Sequence, residues 1–459
     1  MNEIKRTLRD SKTARWFALG LISLTMFFAY FFVDVASPLQ SLFEKQYKWS
    51  PEVYGMLGGS EFFLNVFAGF LIISGIILDK MGIRFTLITS GLTMVLGAFI
   101  KYYAVEFISI ESSVNIIGMQ LPTTALIAYI GFMIFGVGVE MAGITVSKTI
   151  VKWFKGKELA LAMGLEMAVA RLGVFAVFRL SPIFAEHGGV SNSILWGLIF
   201  IVIGLLTFLI YTFMDAALDK QEGDRVKMES EDRFRISDIG KIFSNPGFLA
   251  IAGLCVLFYS AIFPFQKFAT DMLASKLGVP LKDAAALFSF FPIGAMILTP
   301  FIGLFLDKKG LGASLMLYGA LLLTISHLIF ALIPADVFNY GIAIVTIVIL
   351  GTAFSLVPAS MWPSVPKIVE ERYLGSAYGL IFWIQNWGLL GVPVLIGYAL
   401  SASNPTITPE ALAAGAVYDY TVPEIIFAGF GLLAVILSLV LKAVDKKKGY
   451  GLDLPNIKK

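Results

Sequence analysis

LAMGLEMAVARLGVFAVFRL, residues 161 to 180, is long and apolar enough to cross a bilayer, yet it carries Glu166, Arg171 and Arg179. A charge at the centre of a spanning helix costs about 2.5 to 3.5 kcal/mol on insertion scales. Three of them in one segment therefore point inward, towards a protein interior polar enough to receive them. The wider chain has the composition of a protein solvated by lipid. It has 459 residues, 58% of them hydrophobic and 15% charged, with 40 Phe and a mean hydropathy of +0.82. Soluble domains carry about 25% charged residues.

These figures exclude several classes of function. The net charge of +3 is small and the basic residues sit at helix ends rather than in a stripe, which argues against nucleic acid. Cys255 is the single cysteine, so no internal disulfide forms, and His187 and His327 alone leave no metal site. No cofactor is implied and the chain does not read as an enzyme. The basic N-terminus MNEIKRTLRDSKTARW continues into an apolar run without a small-residue cleavage site, which reads as a first span rather than a signal peptide.

A hydrocarbon core about 30 Å thick takes about 20 apolar residues per helix. Twelve segments qualify, near 16–42, 52–78, 85–104, 122–150, 158–184, 193–214, 247–273, 281–306, 312–333, 338–362, 373–401 and 422–443. They predict an all-α integral membrane protein with two six-helix bundles, 16–214 and 247–443, between tails 1–15 and 444–459. The linker 215–246 holds eight acidic and six basic residues, and Ile236, Ile239 and Phe243 in it share the face of a short interfacial helix. With the N-terminus inside, 27 of the 35 Lys and Arg lie on the inner side, while Lys45, Lys48, Lys101, Lys276 and Lys282 fall in outer loops. Both termini are thus expected to be cytoplasmic.

The bundles repeat each other. GIILDKMG at 75–82 returns as GLFLDKKG at 303–310, matching Gly75, Asp79, Lys80 and Gly82 with Gly303, Asp307, Lys308 and Gly310. A second set, from Gly136, Lys152 and Leu159 to Gly173, returns with a shift of 215 instead of 228. The difference locates an insertion in the first half, most simply in the outer loop VEFISIESSVNIIGMQLP. Two six-helix halves with a G-x-x-x-D-K-x-G turn between the second and third helices of each resemble the major facilitator superfamily. That resemblance implies a gating role for the turn, with Arg84 completing the first copy and Gly312 at the matching place in the second.

On the fifth helix Glu166 lies about 140° from Arg171 at 100° per residue, so the two do different jobs. Glu140 lies near the middle of the fourth helix, on a stripe with Gly136, Gly143 and Ser147, at a depth similar to Arg171. Their repeat positions hold Ser355 and Asn386, which predicts an electrostatically lopsided cavity. Either the two form a buried ion pair or they contact cargo, and substrate contact is the favoured reading. Tyr259, Phe263 and Gln266 on the seventh helix and Trp383, Asn386 and Trp387 on the eleventh form stripes suited to an uncharged wall. Lys267 and Asp271, four apart, are expected to neutralise each other, and Arg179 to reach the surface or an acid such as Glu61. Asp34 and Glu61 either carry protons or hold the outer gate, while Glu166 buttresses the cytoplasmic one.

Residues 136–173, GVGVEMAGITVSKTIVKWFKGKELALAMGLEMAVARLG, are similar to the branch of the superfamily that contains the lysosomal dipeptide transporter, through GVG-x-E, WFKGKEL and GL followed by AR-x-G. The resemblance implies uniport of small peptides, with Glu140 and Arg171 as the carried-over acid and arginine. A carboxylate can hold a peptide's ammonium and a guanidinium its carboxylate. A proton-coupled anion symporter and a receptor that does not transport are the alternatives. There is no N-x-S/T sequon and no acidic dileucine signal, which points to a prokaryotic-type plasma membrane, a functional monomer and no glycosylated accessory subunit.

Overall fold

Lipid offers backbone N–H and C=O groups no partners, so the apolar runs must satisfy them internally as helices. In a computed structural model, which describes residues 7–455 apart from 117, 155–156, 223–238, 409–410 and 413, they do so. The first half contains α1 (Lys12–Val33), α2 (Gln40–Tyr47), α3 (Pro51–Ser60), α4 (Phe63–Phe67), α5 (Phe70–Glu106), α6 (Thr123–Phe154), α7 (Leu159–Glu186) and α8 (Gly189–Glu222). A short α9 (Ile239–Phe243) precedes the second half. That half contains α10 (Pro246–Leu277), α11 (Leu281–Phe288), α12 (Phe290–Lys309), α13 (Gly312–Leu332), α14 (Tyr340–Ile368), α15 (Leu374–Ser403) and α16 (Thr421–Lys448). Large side chains such as Phe213 and Phe301, 76% and 64% exposed, cover the outer surfaces, as lipid-facing positions require.

Among the described residues, eleven helices are each long and apolar enough to span a membrane. The second span is segmented instead: α3 ends at Glu61, α4 stops before Gly69 at φ 64, and α5 turns at Gly82, where φ is 80. Gly82 thus separates the second span from the third, and Gly310 at φ 78 separates the eighth from the ninth. Only glycine takes such angles without strain, which explains why the turn repeats its last glycine. The insertion expected in the first half is a β-hairpin, β1 (Ser113–Ile116) paired antiparallel with β2 (Met119–Pro122). Two boundaries differ from the sequence reading. The helix of the sixth span continues to Glu222, so Asp215 and Asp219 belong to it and not to the linker. Of the predicted interfacial helix, α9 is present with Ile242 buried, while Ile236 lies outside the described residues.

Contacts between the halves gather at the face opposite the termini, here called the distal face. There α3 crosses α15 at backbone contact. A Cβ on Gly55 would strike the Pro393 carbonyl, one on Gly59 the Leu390 carbonyl, and one on Gly397 the Pro51 carbonyl. Because these helices belong to different halves, this packing exists only while the distal face is closed. Overpacking costs about 1 to 3 kcal/mol, equivalent to about a 5- to 150-fold change in a two-state ratio. Gly59→Val should therefore favour distal opening by that factor. The readout is the rate at which a thiol reagent modifies a cysteine placed at buried Tyr420 in a Cys255→Ser chain; an unchanged rate would refute closure at this crossing.

Candidate functional site

Glu140 on α6 and Arg171 on α7 are both partly exposed in the middle of the first half. No ion pair within 4.0 Å joins them. Each instead faces the second half: Asn386 of α15 lies near the Glu140 carboxylate, and the Arg171 guanidinium sits 4.5 Å over the Phe354 ring of α14. One turn nearer the termini, Gly143 follows Glu140 on α6 and, on α7, Gly164 shares the Arg171 face. A Cβ on either glycine would meet nothing within 4 Å. Both charges keep partial exposure, and these glycines, one turn from Glu140 and two turns from Arg171, leave room beside them on the side of the termini.

The expected wall residues divide. Tyr259 stacks on Phe263 at 5.4 Å and its hydroxyl accepts a bond from Trp362 Nε1 at 3.2 Å. Trp383 donates to the Val66 carbonyl at 3.1 Å, and Trp387 meets Phe67 edge-on at 5.1 Å. Both tryptophans keep about two fifths of their surface exposed, 37% and 43%, although they touch the other half. Gln266 and Asn386 are buried. Ser355 is placed otherwise: it is fully buried and donates to the Gly351 carbonyl at 2.9 Å, close to that of Ala295 as well. Its hydroxyl is spent on helix packing. Three residues near the charges escaped the sequence reading: Tyr30, within electrostatic reach of Arg171, Glu166 and Glu140; Phe354; and Trp362. Tyr30 stands one helical turn before Asp34 on α1, and Phe354 is the neighbour of repeat position Ser355.

The distal gate corrects several expectations. Lys267 does not neutralise Asp271; its ammonium lies 2.9 Å from Asp34 Oδ1 and 3.1 Å from the Val33 carbonyl, in the other half. Asp271 accepts the Ser41 backbone N–H at 3.1 Å instead. Each thus finds its hydrogen bond across the seam rather than along its own helix, with the second Asp271 oxygen left without one. Tyr54 donates to the Lys267 carbonyl at 3.0 Å, Tyr418 to Glu44 at 2.6 Å and Tyr420 to Gln40 at 3.1 Å, all between halves. Arg179 does not meet Glu61; it is partly exposed, and its Nε donates to Ser289 at 3.0 Å, with Phe290 5.4 Å away. Lys101, assigned to an outer loop from sequence, is fully buried inside α5. Glu61 is buried at the break after α3, and Glu166 is half-buried on α7.

At the other face the two turns are held differently. In the first, Asp79 pairs with Lys148 at 2.8 Å, Arg84 pairs with Asp219 at 3.0 Å, and Lys152 bonds Asp215 and Asp219 at 2.6 and 2.7 Å. Trp153 donates to Tyr211, which donates to Asp215, so the tryptophan of the WFKGKEL run is tied into the same network. Lys157 of that run reaches Asp10 at 2.8 Å and holds its carboxyl well below the ordinary range. Lys80 and Lys308 are exposed, and Gly75 and Gly303 face open space. The second turn, at Gly310, is held by the C-terminal segment. Leu311 and Gly312 donate to the carbonyls of Asp453 and Leu452 at 2.9 and 3.2 Å, and Asp453 Oδ1 caps α13 through the Ser314 N–H at 2.9 Å. A side chain at Gly312 would crowd the Leu452 carbonyl.

A sequence profile described as Major Facilitator Superfamily matches residues 22–393. The lysosomal dipeptide transporter MFSD1 of Mus musculus is 27% identical over 338 residues, 71% of this chain and 67% of that protein. The Homo sapiens protein of the same name is 28% identical over 334 residues, 70% and 66% respectively. The chain thus spans about two thirds of the length of these relatives. Among solved structures, the nucleoside transporter NupG superposes with a TM-score of 0.69 at 16% identity, covering 93% of this chain and 99% of that one. A bacterial homolog to the human lysosomal transporter Spinster, inward-facing and occupied, superposes with a TM-score of 0.70 at 15% identity, covering 95% and 98%. At such identities the likeness is one of fold.

The Asp215 carboxylate is 2% exposed, and Lys152 at 2.6 Å is its nearest cation, with Arg84 Nε further off at 3.6 Å. Removing one partner of a buried pair costs about 3 to 5 kcal/mol, whereas removing both can be nearly neutral. Lys152→Met should lower the melting temperature clearly, and adding Asp215→Asn should recover most of the loss. Thermal unfolding of the purified variants checks both, and additive losses would contradict the pairing.

Proposed function

Because the chain belongs to the major facilitator superfamily and is a multi-pass membrane transporter rather than an enzyme, we propose that it carries small zwitterionic solutes, foremost dipeptides, by alternating access. The observation that carries this reading is the separation of Glu140 from Arg171. Two opposite charges that only held helices together would close on each other, since buried unpaired charges are costly. Here no ion pair joins them, both are partly exposed, and each faces the second half. That spacing suits a ligand with one charge at each end. The Glu140 carboxylate receives the ammonium, the Arg171 fork the terminal carboxylate, and the faces of Tyr259, Phe263, Trp383 and Trp387 supply a surface tolerant of different side chains. The relatives named for dipeptide transport agree with this chemistry.

Rocking of the halves exposes such a site to one side at a time. With both termini in the cytoplasm of a prokaryotic-type plasma membrane, the closed distal face is the external one, and the arrangement is inward-facing. Transport is uniport, performed by a monomer without an accessory subunit. Glu61, buried with one carboxylate oxygen lacking a partner, favours one competing reading: symport of a proton with an anion bound at Arg171.

Thermal stabilisation by dipeptides, single amino acids and small anions separates the readings. Dipeptides are expected to stabilise the wild-type protein and to lose that effect in Arg171→Ala; stabilisation by anions alone favours symport, and flux in liposomes that follows a proton gradient would exclude uniport. A charge-assisted hydrogen bond is worth about 1.5 to 3 kcal/mol, or about 10- to 150-fold in affinity. Glu140→Gln should weaken peptides with a free amino terminus by that factor and leave N-acetylated peptides nearly unchanged. Equal losses for both would remove the ammonium contact from the scheme.

A further inference from the structure

Among the described residues of the distal region, Lys101 is a buried lysine whose environment the closed gate does not explain. It is 0% exposed, and its ammonium has no hydrogen-bond partner. Its neighbours are aromatic: the Phe132 ring centroid is 3.8 Å away and that of Phe32 5.2 Å away. Cation–π contact offsets part of the desolvation of an ammonium, but a carboxylate would offset far more. One lies close by, already taken. Asp34 is engaged by Lys267 at 2.9 Å and by the Ser37 hydroxyl at 2.7 Å. Between Lys101 and Lys267 lies a void of about 10 Å³ lined by Val33, Ala36, Ser37, Tyr54, Leu57 and Gly58. The void joins the buried lysine to the place the other lysine occupies.

Asp34 and Lys101 belong to the first half, on α1 and α5, whereas Lys267 belongs to the second, on α10. Distal opening draws Lys267 away and leaves Asp34 without its cation inside the first bundle. We propose that Lys101 then takes the place of Lys267, so that Asp34 exchanges an interbundle ion pair for an intrabundle one each time the gate opens. The unpartnered ammonium of the closed form is the reserve for the open form. This rests on the alternating-access reading given above, but not on the nature of the cargo. Glu61, the other buried acid near this cluster, also has an oxygen without a partner and is the competing acceptor for Lys101.

The test measures gate opening with no cargo present, so its outcome is independent of whether dipeptides bind. The distal reporter is Tyr420→Cys in the Cys255→Ser chain, and its rate of reaction with a thiol reagent follows the open fraction. Lys101→Met should slow that reaction about tenfold where Asp34 is intact and leave it unchanged in Asp34→Asn. The variant should melt no lower than the parent, since it removes an unpartnered buried charge; Lys101→Gln serves the same cycle if Lys101→Met does not fold. Equal slowing with and without Asp34, no slowing at all, or slowing that is abolished by Glu61→Gln and retained in Asp34→Asn would each overturn the exchange.

Discussion

Charge inside the lipid-embedded region has few places to go, and that constraint organises this molecule. With no water to solvate them, ionised side chains must face the seam between the two halves, a partner within their own bundle, or a cavity. All three solutions occur. Asp34 and Lys267 meet across the seam, Glu424 shares a 2.7 Å hydrogen bond with the His327 ring within the second half, and Glu140 and Arg171 keep partial exposure beside Asn386 and Phe354. The seam solution has a mechanical consequence. A pair whose members belong to different moving bodies reports on, and contributes to, the position of those bodies.

The two halves repeat a backbone plan but not an electrostatic one. Where the first carries Glu140 and Arg171, the second carries Ser355 and Asn386, and its cavity-side residues are largely aromatic. In the function proposed above, the charged side fixes the ends of a ligand and the aromatic side accepts what lies between them. Even Ser355, the position most nearly matching Glu140, is turned to helix packing, which sharpens the division. The segmented second span adds a further asymmetry, because its breaks at Glu61 and Gly69 interrupt a helix opposite the tryptophans of α15.

Much of this plan was legible in the sequence. The apolar runs, the repeated turn and the two unequal shifts located the helices, the pseudo-symmetry and the extra hairpin, because each depends on local periodicity or on duplication. Glu140 and Arg171 stood out because lipid makes charges within a span costly. Partner choice was not. Lys267 has an acid four residues along its own helix, yet it pairs with one 233 positions away, and nothing in local spacing signals that the seam offers a better-placed carboxylate. Lys101 reads as a loop residue because it follows an apolar run of ordinary length, whereas α5 carries on for another turn past it. The breaks in the second span are likewise tertiary: glycines there admit close approach by α15, and hydropathy does not register it.

The different fastening of the two turns on the face that carries the termini bears on the order in which the chain is built. Arg84 finds Asp219 at the end of the sixth span, so the first bundle holds everything its turn requires once that helix has been synthesised. The turn at Gly310 is fastened by residues 452 and 453, which follow the last span. Vectorial synthesis therefore completes the bundles unequally: the first can lock its turn during translation, while the second remains unlatched until the segment beyond α16 has left the ribosome.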